Sequence, residues 1–190
     1  MTKGNNNEVS IKQAYENAAN LLESGEIALA EQQLSEILKK FPNDPNALRL
    51  SGLSSLKQGK ANIAIIPFKK ALEVAPDFYE VYENLSQAWA LLGNLNEAEI
   101  CLKKYLEHNQ TSFSAWKALG DILSDQGKID ESDKAYKNAI TTDKKYIQLQ
   151  DAMQSVQKGN LGEAESIYRE ILSKDPVSYT HLTLPTKRIV

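Results

Sequence analysis

The stretch "VYENLSQAWALLGNLNEAEICLKKYLE", residues 81–107, sets Gly93 between two runs of apolar residues at helical spacing. Leu85 and Trp89 precede the glycine; Ala98, Leu102 and Leu106 follow it. Gly93 has counterparts. Gly25, Gly59, Gly93 and Gly127 are each 34 residues apart, and Gly159 follows after 32. Seven positions before each glycine stand Ala18, Gly52, Ser86, Gly120 and Ala152; five positions after each stand Ala30, Ala64, Ala98, Ser132 and Ala164. Three small positions recurring together in all five copies define a repeat, and the repeat decides the fold.

Each copy reads as two helices of about 12–14 residues joined at the glycine. A left-handed residue ends the first helix, a conformation that glycine adopts without a Cβ penalty. The small residues on either side fall where the two helices cross and allow the backbones to approach. Leu34, Phe68, Leu102, Tyr136 and Tyr168 fill the seam on the second helix, with Leu38, Leu72, Leu106, Ile140 and Leu172 one turn later. Pro42, Pro76 and Pro176 stop the second helix. Ser10 with Gln13 reads as a capping box that opens the first helix.

The unit resembles the tetratricopeptide repeat, a 34-residue helix–turn–helix. The third copy carries Tyr82, Leu85, Ser86, Trp89, Gly93, Ala98 and Leu102 at that family's signature places. The fourth carries Trp116, Leu119, Gly120, Gly127, Tyr136 and Ala139. The resemblance spans residues 11–176 and implies an all-α fold, a right-handed α-solenoid of repeats at 11–44, 45–78, 79–112, 113–144 and 145–176. Residues 1–10 are expected to be disordered. Three departures stand out. Ile37, Tyr105 and Ile171 replace the late alanine of the pattern, Gln110 and Lys144 replace its terminal proline, and Pro67 sits inside a predicted helix. The fifth copy starts two residues early, and its apolar set, Leu149, Ala152, Met153 and Val156, is displaced. This predicts a change of superhelical register near Lys144–Tyr146.

In this family the first helices line a concave groove that holds a peptide or a partner helix. By helical phase the groove positions are Arg49, Leu53 and Lys57, then Glu80, Glu83, Asn84 and Gln87, then Lys117, Asp121 and Asp125. The set mixes charges and hydrogen-bonding groups, as suits an extended polar peptide. It does not make the clamp with which some cochaperones of the family grip a C-terminal carboxylate. Arg49 and Asn84 fit that pattern, but Leu53 stands where an Asn is needed, and Ser114 and Ala118 replace the cations of the third repeat.

Catalytic chemistry finds no constellation. His108 lies at the end of a second helix, where a cation favours the helix dipole. Cys101 has no His paired with it by pattern. Asp121 and Asp125 share a helix face without a third ligand. No phosphate loop or zinc spacing occurs, so the residues present are expected to be non-enzymatic, with no cofactor and no metal. The chain has 190 residues and a formal net charge of −3, with no basic stripe for nucleic acid and no basic amphipathic helix for a membrane surface. The single cysteine, Cys101, and a polar N-terminus without the apolar stretch of a signal peptide fit a cytoplasmic protein.

After Pro176 the helical period stops. Read as codons, "VSYTHLTLPT", residues 177–186, resembles the transposon-end adapter used to tag sequencing libraries. A sample index, GTG and a stop then fit Lys187–Val190. Residues 177–190 are therefore expected to be a non-native tail, with the natural protein continuing past Pro176 at a net charge of −5 for the part present, since Lys187 and Arg188 leave with the tail. Without a polar cap, the last repeat is expected to expose Ile167, Ile171 and Leu172 and to self-associate. Residues 151–176 also look similar to the start of a fresh repeat set in bacterial tetratricopeptide–sulfotransferase fusions, which makes the N-terminal array of a larger enzyme the alternative to a protein-binding scaffold. The helix crossing itself is testable. Ala98→Leu should overpack it and cost about 1–3 kcal/mol in equilibrium unfolding.

Overall fold

The computed structural model describes residues 3–174. Its helices run in antiparallel pairs: α1 (Lys3–Ser24) with α2 (Ile27–Lys40), α3 (Pro45–Lys57) with α4 (Ala61–Val74), α5 (Tyr79–Leu91) with α6 (Leu95–His108), α7 (Phe113–Asp125) with α8 (Ile129–Thr142), and α9 (Lys144–Gln157) with α10 (Leu161–Lys174). The chain divides into two compact units, residues 1–136 and 137–190, with the boundary inside α8.

Every predicted turn glycine is left-handed, with φ of 84°, 73°, 74°, 76° and 80° from Gly25 to Gly159. In each turn the residue after the glycine donates its N–H to the carbonyl five residues back. Glu26 reaches Leu21, Lys60 Ser55, Asn94 Trp89, Lys128 Leu123 and Asn160 Ser155, at 2.8–3.0 Å. This bond satisfies a carbonyl that the helix end would otherwise orphan, and it closes only when the glycine turns left-handed. Two of the first helices, α3 and α7, start on side-chain caps. Asp44 accepts from Ala47 N at 2.8 Å ahead of Pro45, and Ser112 accepts from Ala115 N at 3.3 Å. The Asp44 carboxylate also accepts from the Tyr15 hydroxyl, which ties α1 to the start of the next pair.

In the first unit each helix packs on its chain neighbours, with α1 reaching α3 and α3 reaching α5. Stability is therefore a chain of local interfaces. The small seam residues are all buried: Ala18, Ala30, Ala64 and Ala98 have no exposed surface, and Ser86 and Ser132 have almost none. Ser132 Oγ donates to Gly120 O at 2.8 Å across the crossing, so the hydroxyl that replaces an alanine there is satisfied. A Cβ built on Gly52 would lie 2.3 Å from the Phe68 ring, and one on Gly120 would lie 2.6 Å from Tyr136. The seam thus trades volume. Where the second helix presents an aromatic ring, the first presents glycine; where it presents Leu34 or Leu102, the first presents Ala18 or Ser86. In the fifth copy Ala152 is fully buried, but Tyr168 is only half-buried and does not fill the seam as Leu34, Phe68 and Leu102 do.

Glu99 on α6, a residue that sequence reasoning passed over, is buried and joins two repeats. Lys103 Nζ lies 2.6 Å and Lys128 Nζ 2.7 Å from its carboxylate oxygens. Burial alone would raise its pKa, but the hydrogen bonds from Lys103, Lys128 and Gln126 outweigh that and hold it at about 2. Trp116 likewise pins the loop that lacks its proline, donating Nε1–H to Gln110 O at 2.7 Å. Pro67 removes one backbone bond without ending α4.

Several expectations need correction. α1 begins at Lys3, not after residue 10, so Ser10 and Gln13 lie inside the helix and cannot open it. Residues 5–10 contain no breaker, and extending an existing helix costs little once it is nucleated. Ile140 is exposed rather than packed in the seam, whereas Ile37 fills the late alanine position and is buried. In the second unit α9 packs on α10, and Ser155 Oγ donates to Glu163 Oε2 at 3.1 Å. Ile171 is buried there and not presented to a sixth repeat. Of the displaced apolar set only Ala152 is fully buried, Leu149 is half-buried, and Met153 and Val156 are exposed. The early start of the fifth copy arises because the four-residue connection of earlier pairs shrinks to Asp143 alone, while α9 gains one residue over α7. The tail at 177–190 lies outside the described residues.

Two measurements follow. Gly52→Ala should destabilise by about 1–3 kcal/mol although alanine favours helix, because the fully buried Phe68 ring has nowhere to move. Adding Phe68→Leu should recover part of that loss, giving a coupling of at least about 1 kcal/mol in a urea double-mutant cycle. Glu99→Gln should cost about 1–2 kcal/mol at neutral pH, less than for a fully buried pair because both lysines can rehydrate. The lowered pKa makes this stabilisation complete above the unfolded carboxylate value of about 4.3. It is lost as pH falls toward about 2. Unfolding curves of wild type and variant should therefore converge in that window.

Candidate functional site

Successive first helices lie side by side in the first unit, and α5 and α7 bound a cleft of about 590 Å³. Its walls carry Glu83, Asn84 and Gln87 from α5 and Ser114, Asp121 and Asp125 from α7. Its floor is apolar, made by Ala90, Leu95, Leu102, Ala115, Ala118 and Ile122. The walls are polar for a positional reason. Leu85 and Ala88 of α5 and Leu119 and Leu123 of α7 are spent on the core, and the residues one step round each helix face the cleft. Ala90 and Ala118 are short, so the floor stays open.

The structure brings five of the ten groove positions into this cleft: Glu83, Asn84, Gln87, Asp121 and Asp125. Arg49 reaches its edge from the preceding repeat. Its Nη1 lies 3.4 Å from Asn84 Oδ1, and its guanidinium sits 5.6 Å from the centroid of the Phe78 ring. Lys117 is exposed and turns along its own helix to Asp121, 2.8 Å away. Glu80 and Lys57 are exposed and do not line the cleft. Leu53 is half-buried and packs against the apolar clusters on both sides of α3, because that helix is enclosed by its neighbours on most of its circumference.

The carboxylates differ in setting. Burial pushes the Glu83 carboxyl up, with Glu80 adding to the rise, while a hydrogen bond from the Tyr105 hydroxyl and the charge of Arg49 oppose it. For Asp121 burial also raises the pKa. Hydrogen bonds from Lys117 and from the Tyr136 hydroxyl, 2.7 Å from Oδ1, outweigh it and hold this carboxyl below the usual range. Tyr105 and Tyr136 come from second helices, at seam positions that sequence reasoning treats as core. Their ring positions were legible in the repeat; the reach of their hydroxyls into the groove was not. Cys101 is buried, and burial pushes its thiol up to about 11, which leaves it a packing residue rather than a nucleophile. His108 stacks on Tyr79 with ring centroids 3.6 Å apart.

Known proteins place this arrangement. Residues 15–67, 55–122 and 113–146 each match a tetratricopeptide-repeat family model. The chain is 26% identical over 126 residues to human tetratricopeptide repeat protein 7A, covering 63% of this chain and 15% of that protein. It is 31% identical over 98 residues to the mitochondrial tetratricopeptide repeat protein 19 homolog of Drosophila melanogaster, covering 48% and 26%. The chain thus spans about a quarter or less of these relatives. Among solved structures it is similar to MamA of Desulfovibrio magneticus, with a TM-score of 0.66 at 17% identity, covering 88% of this chain and 96% of that one. It is similar also to a thermophilic repeat protein of Thermus thermophilus, with a TM-score of 0.62 at 23% identity, covering 88% and 92%. At such identities the structural likeness speaks for the fold alone. Family models that tile residues 15–146, laid over helix pairs joined at left-handed glycines, show that the chain belongs to the tetratricopeptide-repeat family.

Proposed function

We propose that the chain is a non-catalytic interaction scaffold that binds a protein or peptide partner as an extended segment in the cleft between α5 and α7. The observation that carries this reading is the cleft itself. An apolar floor lies between two helices whose wall residues, among them Asn84, Gln87 and Ser114, can donate and accept hydrogen bonds. An extended chain must have its backbone N–H and C=O groups satisfied when it leaves water, and amide and hydroxyl side chains on both walls can do so. The small floor residues leave room for its side chains. A cytoplasmic setting accords with this role, and no helix among the described residues is long and apolar enough to cross a membrane. The second reading, an array that precedes a sulfotransferase-type domain, rests on the resemblance of residues 151–176. Sequencing the source gene downstream of the Pro176 codon would separate the two.

The cleft is tested by closing it. A displayed pool of random extended peptides should be enriched by the wild-type chain. Ala118→Trp, which places an indole over the floor, should abolish that enrichment while the helical circular dichroism and unfolding midpoint stay near wild type. Equal enrichment by the filled variant would place binding elsewhere and overturn the proposal.

A further inference from the structure

We infer that the partner segment is cationic, an extended peptide carrying Lys or Arg at alternate positions that face Asp121 and Asp125. This rests on the proposed cleft and adds the chemistry of its occupant. The charged side chains that line the cleft are Glu83, Asp121 and Asp125, all acidic. The nearby cations leave room for another. The Lys117–Asp121 pair is exposed on both sides, a weak surface bond that a peptide cation can share, and Asp125 lies one turn beyond it. Arg49 is at the Asn84 end, stacked over Phe78, and Lys117 is drawn to Asp121. Of the three carboxylates, Glu83 lies in the N-terminal half of α5, while Asp121 and Asp125 lie in the C-terminal half of α7.

Three further features favour a cation there. Neither α5 nor α7 has a basic residue in its last turn, so the partial negative charge of both helix ends is left without an intrahelical cation. Asp125 is the last residue of α7 and adds a full charge at that end. Leu91, its counterpart one repeat earlier, is a large apolar residue 62% exposed at the end of α5. Lys and Arg combine an aliphatic stem with a charged head, and so suit an apolar surface beside carboxylates. Spacing agrees as well. Asp121 and Asp125 are one helical turn apart, about 6 Å along the axis. Side chains on one face of an extended chain repeat every two residues, about 6.6–7 Å. Two cations separated by one residue thus meet two carboxylates in register, whereas adjacent cations point to opposite faces. An anionic segment would set its charges against Asp125 and the two helix ends.

The test uses the full chain and three fluorescent peptides of equal length: one with Lys at alternate positions, one with the same lysines adjacent, and one with Glu at alternate positions. Anisotropy should show the alternating-lysine peptide binding at least about tenfold more tightly than the acidic one, and more tightly than the adjacent-lysine one. Asp125→Asn should weaken it about tenfold and Asp125→Lys should abolish binding. Asp125 is exposed at a helix end, so both variants should keep the wild-type unfolding midpoint. Equal binding by Asp125→Lys would mean attraction to the net negative chain at large and would overturn the inference. Binding of the acidic peptide that Ala118→Trp abolishes would overturn the cationic partner and leave the cleft intact. Binding of none of the three, together with no enrichment from the random pool, would overturn the cleft as well.

Discussion

The close approach of two helix backbones at a crossing of small residues is the constraint on which everything else depends. The five left-handed glycines reverse the chain, and the buried residues around them let the two helices touch. A side chain larger than its partner allows cannot be absorbed there, because the seam residues are fully buried and protein interiors pack closely. Gly52 against Phe68 and Gly120 against Tyr136 show the limit, since even one added carbon would collide with a ring. Fixing the pair fixes the direction in which the next pair must start, and a local steric rule thereby becomes a repeating architecture.

That architecture explains where polar groups can be used. The second helices are gripped between neighbours and bury their small faces. The first helices of successive pairs stand beside one another, with one face in the core and the other lining the cleft. Glu99 shows what a polar group does when placed in the packed region instead. Lys103 of the same helix and Lys128 of the α7–α8 turn pair with it and join the third repeat to the fourth. On the cleft side, Asp121 is compensated by Lys117 and Tyr136, while Glu83 carries a cost of burial that Arg49 and Tyr105 only partly offset. Repeats alike in backbone thus differ in the charge they present at the cleft.

Residues 137–174 depart from the pattern in a related way. The connection before α9 is a single residue, and Ile147, Met153, Val156 and Leu161 remain exposed apolar side chains. Burial of Ala152 and Ala164, one on each helix of the α9–α10 pair, shows that the seam logic still operates within that pair. The rest of the displaced apolar set of α9 is not consumed by it.

The sequence by itself determined the repeat, its turns and its seam. These depend on residue size and backbone freedom at fixed spacing, so Gly25, Gly59, Gly93, Gly127 and Gly159 could be assigned from spacing alone, and the buried small residues with them. Helical phase, set by the apolar stripe, put Glu83, Asn84, Gln87, Asp121 and Asp125 on one side, and these five line the cleft. The sequence misplaced the start of α1, where a cap motif at Ser10 competed with helix propagation, and it read Ile140 and Ile171 with the wrong exposure, because their burial depends on where neighbouring helices end. Only the tertiary structure decided which groove positions converge. Arg49 and Asn84 are 35 residues apart, and Lys128 and Glu99 are 29 apart. Long side chains choose such partners through rotamers and desolvation, and no short-range pattern records that choice. Leu53, in phase with the groove, went to the core because α3 is enclosed by its neighbours, a property of the packed array and not of the helix.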